Sequence, residues 1–284
     1  MIETKSLSFG YSHGTPFEIT ALDDVSFTVE KGETVAVIGH TGSGKSTLMQ
    51  MLNGLLTPDS GAVLLDGKDI RTDKAFTRNV RFRVGLCFQY PEYQLFEETC
   101  YKDISFGPKN MGLSEEEIRL RVTEAAAIVG LPESLLQRSP FELSGGQKRR
   151  CAIAGVIAMR PEVLILDEPT AGLDPKGRDD VFGMIRSYQQ ATQAAVIIVT
   201  HSMEDAALLA DRILVMNRGK LALNGTVGEI FRHADELEAM GLNIPASTKL
   251  IADLRRSGCD LSPDVYTAQA AADEIEAFLR RKTV

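Results

Sequence analysis

The stretch Gly39–Ser46 constrains this chain more than any other part of its sequence. It reads Gly-His-Thr-Gly-Ser-Gly-Lys-Ser and matches the phosphate-loop pattern G-x-x-x-x-G-K-[ST]. The apolar run Val35–Ile38 before it predicts a buried strand, and the apolar spacing over Lys45–Leu56 predicts a helix after it. In this order, backbone N–H groups and the positive end of the helix dipole converge on phosphate oxygens. The motif therefore predicts a nucleotide-phosphate site in an α/β domain.

Two side chains of this loop have specific predicted roles. Lys45 would reach the β- and γ-phosphates, and the Ser46 hydroxyl would bind Mg²⁺. The residues predicted to hold the nucleotide here are Gly39, His40, Thr41, Gly42, Ser43, Gly44, Lys45, Ser46 and Thr47.

A second group of candidate residues follows the apolar run Val163–Leu166. Asp167 and Glu168 come directly after this predicted strand. Ligands of open parallel sheets bind beyond the carboxyl ends of the strands. Asp167 would support Mg²⁺, directly or through water, and Glu168 would take a proton from an attacking water. Two acids after a strand are commonplace alone, so the phosphate loop is what favours the catalytic interpretation.

Three further segments carry polar groups that suit a nucleotide site. Gln89 follows a predicted strand over Arg83–Phe88, and its amide would reach Mg²⁺ or water. His201 follows another predicted strand and would hydrogen-bond a γ-phosphate. Leu143–Gln147 opens a basic helix and offers Ser144 and backbone amides to an anion. Each has an ordinary alternative, namely an exposed glutamine, a structural histidine and a helix cap.

The alternation of predicted strands and helices indicates a parallel sheet with a mainly helical insertion over Glu98–Met159. Near the C-terminus, Ser262-Pro263-Asp264 predicts the start of a last helix. No apolar run reaches the roughly 18–20 residues that a membrane helix needs. The start does not resemble a signal peptide, and the four cysteines lack CxxC spacing, so we expect a cytoplasmic protein. The net charge of −8 disfavours a free-standing nucleic-acid binder.

In their order along the chain, these motifs resemble those of the ATPase subunits of ABC (ATP-binding cassette) transporters. The matching segments are the phosphate loop Gly39–Ser46, the Q-loop glutamine Gln89, the signature Leu143–Gln147, the Walker B strand Val163–Glu168, the D-loop Ala171–Asp174 and the switch histidine His201. The resemblance covers about residues 1–240.

It implies an α/β fold with a P-loop NTPase (RecA-like) core, an antiparallel β subdomain, a helical insertion and a small C-terminal helical extension. The implied domains are an ATPase domain over 1–240, with its core at 1–90 and 160–240 and its helical subdomain at 91–159, and an extension over 241–284 that would support dimerisation.

The resemblance also implies that two cassettes face head to tail, with each ATP between one phosphate loop and the other signature. Because this chain carries one of each, it needs a second cassette. The implied catalytic residues are Glu168, His201, Gln89 and Lys45, and the implied Mg²⁺ ligands are Ser46, Gln89 and Asp167. The implied nucleotide contacts outside the phosphate loop are Tyr11, stacked on adenine, and Ser144, Gly145, Gly146, Gln147 and Asp174.

The segment Phe88–Phe96 narrows the resemblance to the ATPases of energy-coupling factor (ECF) transporters, which share the pattern F-Q-x-P-E-x-Q-L-F. His40 agrees, and Glu168–Arg178 resembles the second of the two paralogous ATPases of that group. This implies a peripheral subunit at the cytoplasmic face of the cell membrane that powers uptake of vitamins or other micronutrients. Its implied partners are a paralogous ATPase, an integral membrane scaffold and small substrate-binding membrane proteins.

Several alternatives stay open at this point. One is the ATPase of another ABC importer, for metal ions, amino acids or peptides, which the segment Phe88–Phe96 disfavours. Others are a soluble ABC protein of translation or DNA repair and an adaptor that binds ATP without hydrolysing it. The intact Lys45, Asp167, Glu168 and His201 disfavour the adaptor, and a P-loop kinase would lack Leu143–Gln147. No residue names the transported substrate.

Overall fold

The computed structural model describes residues 1–282, so Thr283 and Val284 of the predicted extension lie outside it. The strands are β1 (Ile2–Tyr11), β2 (Ile19–Val29), β3 (Thr34–Ile38), β4 (Ser60–Leu65), β5 (Lys68–Asp69), β6 (Val84–Cys87), β7 (Val163–Asp167), β8 (Ala195–Val199), β9 (Arg212–Asn217) and β10 (Lys220–Thr226). The helices are α1 (Lys45–Leu52), α2 (Lys74–Arg83), α3 (Cys100–Asn110), α4 (Glu115–Ile128), α5 (Gly145–Ile157), α6 (Pro175–Thr192), α7 (Met203–Leu209), α8 (Val227–Arg232), α9 (Ala234–Ala239), α10 (Ala246–Arg256) and α11 (Ala268–Lys282).

The larger sheet has six strands in the order β10-β9-β3-β8-β7-β6. All neighbours from β9 to β6 run parallel, and β10 pairs antiparallel with β9 at the edge. Every residue of β3, β7 and β8 is buried, which explains their unbroken apolar sequences, since a parallel strand is covered on both faces. The expected parallel sheet is confirmed.

The smaller sheet is antiparallel, with the order β2-β1-β4-β5. Buried and exposed residues alternate along the second half of β2, as expected of a half-buried strand. Leu7 and Val25 from this sheet, Val37 from the larger one and Leu48 of α1 belong to one hydrophobic cluster. The two sheets therefore enclose α1 in a common core, and the phosphate loop is anchored on both sides.

Three helices, α3, α4 and α5, lie between β6 and β7 and form most of the segment 91–159. As the capping motif predicts, α4 begins after Ser114, whose side chain accepts a hydrogen bond from the backbone N–H of Glu117. The fold class is confirmed: an α/β core with an antiparallel sheet, a helical insertion and terminal helices.

Two helix boundaries differ from the sequence expectation. The helix α1 ends at Leu52 rather than Leu56, because Gly54 takes a left-handed conformation with φ 71°. The last helix begins at Ala268 rather than at Ser262, and α10 precedes it. Instead of capping a helix, Asp264 accepts hydrogen bonds from Arg232 (2.7 Å) and from the Tyr266 hydroxyl (2.8 Å).

Candidate functional site

The carboxyl ends of β3, β8 and β7 lie side by side and bring the predicted site residues to one edge of the larger sheet. The phosphate loop follows β3, His201 lies two residues beyond β8, and Asp167 ends β7 with Glu168 directly after it. Gln89 lies two residues beyond β6, the neighbour of β7, and its side chain is exposed. Four chain segments far apart in sequence thus meet at one place.

Two glycines of the phosphate loop occupy positions that exclude a side chain. Gly39 has φ 155° and Gly44 has φ 99°. A Cβ atom would lie 2.3 Å from the Met216 carbonyl oxygen in the first case and 2.3 Å from the Ala21 carbonyl oxygen in the second. The loop is therefore packed closely between β9 and the smaller sheet, and these contacts restrict its shape.

The start of α1 has the properties of an anion site. Within residues 1–282, its N-terminus receives no side-chain cap, and its first turn contains no acidic residue. The Ser43 hydroxyl is buried and makes no hydrogen bond within the described chain. Helix N-termini carry unsatisfied N–H donors and a partial positive charge. Uncapped donors and an unpartnered hydroxyl fit the oxygens of a phosphate group.

Lys45 lies beside these donors and is 6% exposed. Its Nζ donates to the carbonyl oxygens of Gly39 (2.6 Å) and His40 (3.0 Å). Burial lowers the pKa of the ammonium, while the nearby carboxylates of Glu168 and Asp167 act in the opposite direction. Within residues 1–282, the hydrogen-bond acceptors of this buried ammonium are two neutral carbonyls, so an approaching anion would stabilise it.

The predicted metal ligands Ser46 and Asp167 face each other. The Ser46 hydroxyl donates to Oδ2 of Asp167 over 3.1 Å, and Asp167 is 9% exposed. Burial raises the pKa of this carboxyl group, although the Ser46 hydrogen bond and the Lys45 charge act against the shift. A hydroxyl and a carboxylate oxygen are the donors that Mg²⁺ prefers, and they fit a cation shared with phosphate.

Glu168 and His201 form a second pair at this edge. Nε2 of His201 lies 3.1 Å from Oε1 of Glu168, yet within the described residues this buried oxygen accepts no hydrogen bond. Burial, followed by the charge of Asp167, raises the pKa of Glu168 to about 7. Burial and the Lys45 charge lower the pKa of His201, which favours the neutral form of its imidazole. A carboxylate that titrates near neutral pH suits proton abstraction.

The backbone at Glu168 has an uncommon conformation. Its φ is +52°, and its N–H donates to the Val199 carbonyl oxygen over 2.9 Å. Left-handed conformations cost free energy for residues other than glycine, and such strain concentrates at functional sites. The bond to the end of β8 holds Glu168 where its side chain reaches His201.

Tyr11 lies at the end of β1, next to the phosphate-loop helix. Its hydroxyl is 3.1 Å from Oγ1 of Thr47, and its ring contacts Phe9 edge to face. Tyr11 is 42% exposed, so the fold does not enclose its side chain. Nε2 of His40 lies 3.2 Å from the side-chain oxygen of Asn217 at the end of β9.

The signature residues lie apart from this group. Ser144 and Gln147 form a reciprocal capping box at the start of α5, and Gly145 and Gly146 are exposed. Within the part of the chain described, no hydrogen bond or ion pair joins Ser144–Gln147 to the phosphate loop. Asp174 caps α6, its side chain accepting the Gly177 N–H over 2.7 Å. The chain therefore presents an exposed helix N-terminus away from its own phosphate loop.

Arg149 is an organising residue that the sequence reasoning missed. It is 4% exposed, donates to the Ala171 carbonyl oxygen (2.9 Å) and lies 3.4 Å from Oε2 of Glu92. It therefore connects α5 with the Ala171–Asp174 segment and with the segment after Gln89 that contains Glu92. The sequence feature that could have predicted its burial is its position four residues before Ile153, on the apolar face of a helix that the sequence indicates to be basic.

Asp205 is a second organising residue without a sequence signal. It is 2% exposed and accepts hydrogen bonds from Thr170 (2.6 Å), Ser202 (2.9 Å) and Arg178. Thr170 follows Glu168 by two residues and Ser202 follows His201 by one. The buried carboxylate therefore ties together the two segments that carry the Glu168–His201 pair.

Comparisons with known proteins agree with this geometry. The family profile described as "ABC transporter" matches residues 22–171. A relative from Caldanaerobacter subterraneus, named "Energy-coupling factor transporter ATP-binding protein EcfA2", is 53% identical over 279 residues and covers 98% of both chains. A protein of the same name from Clostridium acetobutylicum is 56% identical over 276 residues, covering 96% of both chains.

Solved structures agree as well. A structure described as cbiO1 from Clostridium perfringens, part of the ABC transporter complex cbiONQ, is 40% identical with a TM-score of 0.74, covering 84% of this chain and 93% of that one. The ATP-binding cassette MJ0796, bound to ADP and phosphate as a dimer, is 27% identical with a TM-score of 0.72, covering 80% and 99%. No helix in the described residues is both long and apolar enough to cross a membrane.

Proposed function

The chain belongs to the energy-coupling factor transporter ATP-binding proteins, a branch of the ABC transporter family, and on that basis we propose that it powers micronutrient uptake through a membrane complex. The observation that carries its ATPase activity is the meeting of an uncapped phosphate-loop helix with the Glu168–His201 pair at one sheet edge. Two further parts of the proposal are that Mg²⁺ accompanies ATP and that vitamins or other micronutrients are the cargo.

The chain's own residues bind the triphosphate. Backbone N–H groups of the loop and the Ser43 hydroxyl would donate to phosphate oxygens, and Lys45 would exchange its carbonyl partners for them. Bound Mg²⁺ would neutralise phosphate charge and would be held by Ser46 and Asp167, with Gln89 reaching it from the end of β6. Tyr11 would stack on adenine. Thr47 would keep the tyrosine hydroxyl in place through the contact described above.

Glu168 would hold the proton of the attacking water at its carboxylate. Its backbone N–H is held by the Val199 carbonyl oxygen, and His201, whose Nε2 lies 3.1 Å from Oε1 of Glu168, would hydrogen-bond the γ-phosphate. Phosphoryl transfer depends mainly on positioning and on charge stabilisation. The pair would provide both, with Glu168 as the positioned proton acceptor and His201 as the phosphate contact.

The separation of the signature from the phosphate loop supports a two-cassette arrangement. The exposed start of α5 would donate to the γ-phosphate held by a second cassette, which we propose is a paralogous ATPase. Moving such a dimer from 1:99 to 99:1 requires roughly 5.5 kcal/mol. Charge-assisted hydrogen bonds contribute about 1.5–3 kcal/mol each, so a few contacts are enough. Hydrolysis removes them, and ATP thereby drives the association cycle.

The pKa of Glu168 gives a pH prediction. A raised pKa means that the carboxylate, the form able to accept a proton, predominates only above about pH 7. We therefore expect kcat/KM for ATP hydrolysis to rise with pH from 6 through about 7, where half of the carboxyl is ionised, and to level off near about pH 8. A pH profile of the purified complex would measure this, and a flat profile from 6 to 8 would contradict the assignment of Glu168 as the base.

An apolar groove next to the Q-loop is the surface that we propose for the membrane scaffold. Phe96 is 58% exposed and Phe106 is 47% exposed, and their rings meet edge to face with centroids 5.1 Å apart. The backbone N–H groups of Phe96 and Glu97 donate to Asp103, which fixes the Phe96 segment on α3. Two exposed aromatic rings on a rigid support fit the apolar face of a partner helix.

We expect Phe96→Ala together with Phe106→Ala to weaken scaffold binding by about 30-fold or more, because buried aromatic anchors contribute roughly 2 kcal/mol or more at interfaces. Co-purification from membranes would measure the loss, and ATP affinity should stay unchanged. Leu120→Ala is the matched control, since this exposed residue lies on α4 outside the groove. Full scaffold recovery with the double variant would contradict the assignment of this groove.

The proposed function is tested by isolating the tagged chain from its native membranes in mild detergent and identifying its partners by mass spectrometry. The expected partners are a paralogous ATPase, a polytopic scaffold and small membrane proteins. A homodimer on two ordinary permeases would contradict the energy-coupling factor complex while leaving the ATP chemistry intact. The small membrane proteins recovered would identify the cargo.

A further inference from the structure

The loop between β1 and β2 is ordered by its own hydrogen bonds. The Ser12 carbonyl oxygen accepts from the backbone N–H of Thr15 (3.2 Å) and from its hydroxyl (2.7 Å). The backbone N–H of Gly14 donates to Oε2 of Glu18 over 3.1 Å, and that of Glu18 donates to the Thr15 carbonyl oxygen. Residues 12–18 therefore form an ordered loop that joins Tyr11, the last residue of β1, to Ile19, the first residue of β2.

His13 connects this loop to Asp59, which is distant in the sequence. Its Nδ1 lies 3.2 Å from Oε1 of Glu18, and its Nε2 lies 2.9 Å from Oδ2 of Asp59, in the turn before β4. The same Asp59 oxygen accepts the backbone N–H of Gly10 over 2.8 Å. A Cβ on Gly10 would lie 2.8 Å from Cε1 of the imidazole, so the ring lies against the residue that precedes Tyr11.

The end of this hairpin presents an apolar surface beside the phosphate loop. Tyr11 and Ile19 are directly opposite each other in the β1–β2 register, which places both side chains on the same face. Ile19 is 63% exposed, and Tyr11 contacts Thr47 in α1. An exposed aromatic and an exposed aliphatic side chain next to the proposed triphosphate site fit a purine base.

We propose that His13 is a positioning residue for the nucleobase: by joining Glu18 to Asp59, it fixes the hairpin end that carries Tyr11 and Ile19 and so increases the affinity for the base of ATP. The inference rests on the proposed function and deepens it. His13 itself does not contact the nucleotide.

The contacts of His13 with Glu18 and Asp59, which we call the His13 clasp, depend on the charge of the imidazole. Both neighbours of the ring are carboxylates, and an imidazole donates from both nitrogens only when it is protonated. The charged groups that face the ring are Glu18 on its own hairpin and Asp59 on the neighbouring turn, and together they raise the pKa of His13, the Glu18 hydrogen bond most of all. As pH rises through this pKa, one of the two bonds is lost. The base therefore contributes more to affinity at pH 6 than at pH 8.

The size of the effect is limited because all three side chains are about half exposed. Exposed ion pairs of this kind change an equilibrium by up to about fivefold. The quantity to measure is the ratio of the affinity for ATP to the affinity for ribose 5′-triphosphate, which lacks the base. Ionisation of the phosphates, of Lys45 and of Glu168 affects both ligands alike and cancels in the ratio.

Isothermal titration calorimetry of the full chain with both ligands, at pH 6 and pH 8, tests the proposal. In the wild type, we expect the ratio to be about two- to fivefold larger at pH 6. In His13→Gln, the ratio at both pH values should equal the wild-type ratio at pH 8. In His13→Arg, which keeps the positive charge, the ratio at both pH values should equal the wild-type ratio at pH 6. His233→Gln is the matched control, since His233 is similarly exposed and pairs with Glu236 on α9, outside the site.

A His13→Gln protein with the wild-type ratio at both pH values would overturn the inference. Affinity for ribose 5′-triphosphate reports whether each variant is folded. A second test is Glu18→Gln, which replaces the other partner of His13 and is expected to remove the pH dependence of the ratio. If the wild type bound neither ligand, the proposed function itself would fail. If it bound both with a ratio insensitive to pH and to His13, only the positioning role would fail.

Discussion

Replacing Glu168 with glutamine is expected to lower kcat for ATP hydrolysis by about 10²–10⁴-fold, the usual contribution of a positioned general base. ATP affinity should stay within a few-fold of the wild type, because Lys45, Ser43 and the loop amides are untouched. Since ATP then persists between the cassettes, the dimer should remain closed. Steady-state hydrolysis by the purified complex measures the first effect, and size-exclusion chromatography with ATP measures the second.

Glu162→Gln is the matched control for this prediction. Glu162 lies just before β7, at the opposite end of the strand that Asp167 ends, and it pairs with Arg83 at the surface. We expect its removal to leave kcat unchanged. Undiminished turnover in Glu168→Gln would exclude Glu168 as the base, and the charge of Asp167 would then have to act alone.

Gly44→Ala is expected to destabilise the protein by roughly 2–5 kcal/mol, from the combined cost of a left-handed alanine and of steric overlap. The added Cβ would lie 2.3 Å from the Ala21 carbonyl oxygen, a backbone atom of β2 that cannot move alone. The loop would have to shift, and the amides at the start of α1 would move with it. Chemical denaturation measures the loss of stability, and calorimetry measures the accompanying loss of ATP affinity.

Gly183→Ala provides the contrast. Gly183 is an exposed residue within α6, and, apart from its chain neighbours and the helix's own backbone, no atom of residues 1–282 lies within 4 Å of a Cβ built there. The change should stabilise the protein by up to about 1 kcal/mol, because alanine favours the helix. Equal destabilisation by both variants would mean that the packing of Gly44 against β2 is not what fixes the loop.

Much of the fold could be predicted because the chemistry is concentrated in short local patterns. The unbroken apolar runs of β3, β7 and β8 predicted the parallel sheet, and the meeting of the strand ends followed from its geometry. The roles assigned to individual site residues remain predictions. The structure adds to them the distances between Ser46 and Asp167 and between Glu168 and His201.

What the sequence did not predict depends on long-range contacts. The start of α11 was misplaced because Asp264 binds Arg232, 32 residues away, where local propensity favours a helix cap. The position of Arg149 on its helix indicates that it faces the core, but its partners Ala171 and Glu92 lie far away in the sequence, so the contacts themselves could not be predicted. The three donors of Asp205 come from separate segments and have no common spacing.

The left-handed backbone at Glu168 has an evolutionary consequence. Asparagine and glycine adopt this conformation at lower cost than glutamate, and neither would place a buried charge beside Asp167. Selection for a stable fold alone would therefore drive this position away from glutamate. A lineage in which ATP turnover no longer mattered should lose the carboxylate early, while its phosphate loop, which the packing of Gly39 and Gly44 constrains, should persist much longer.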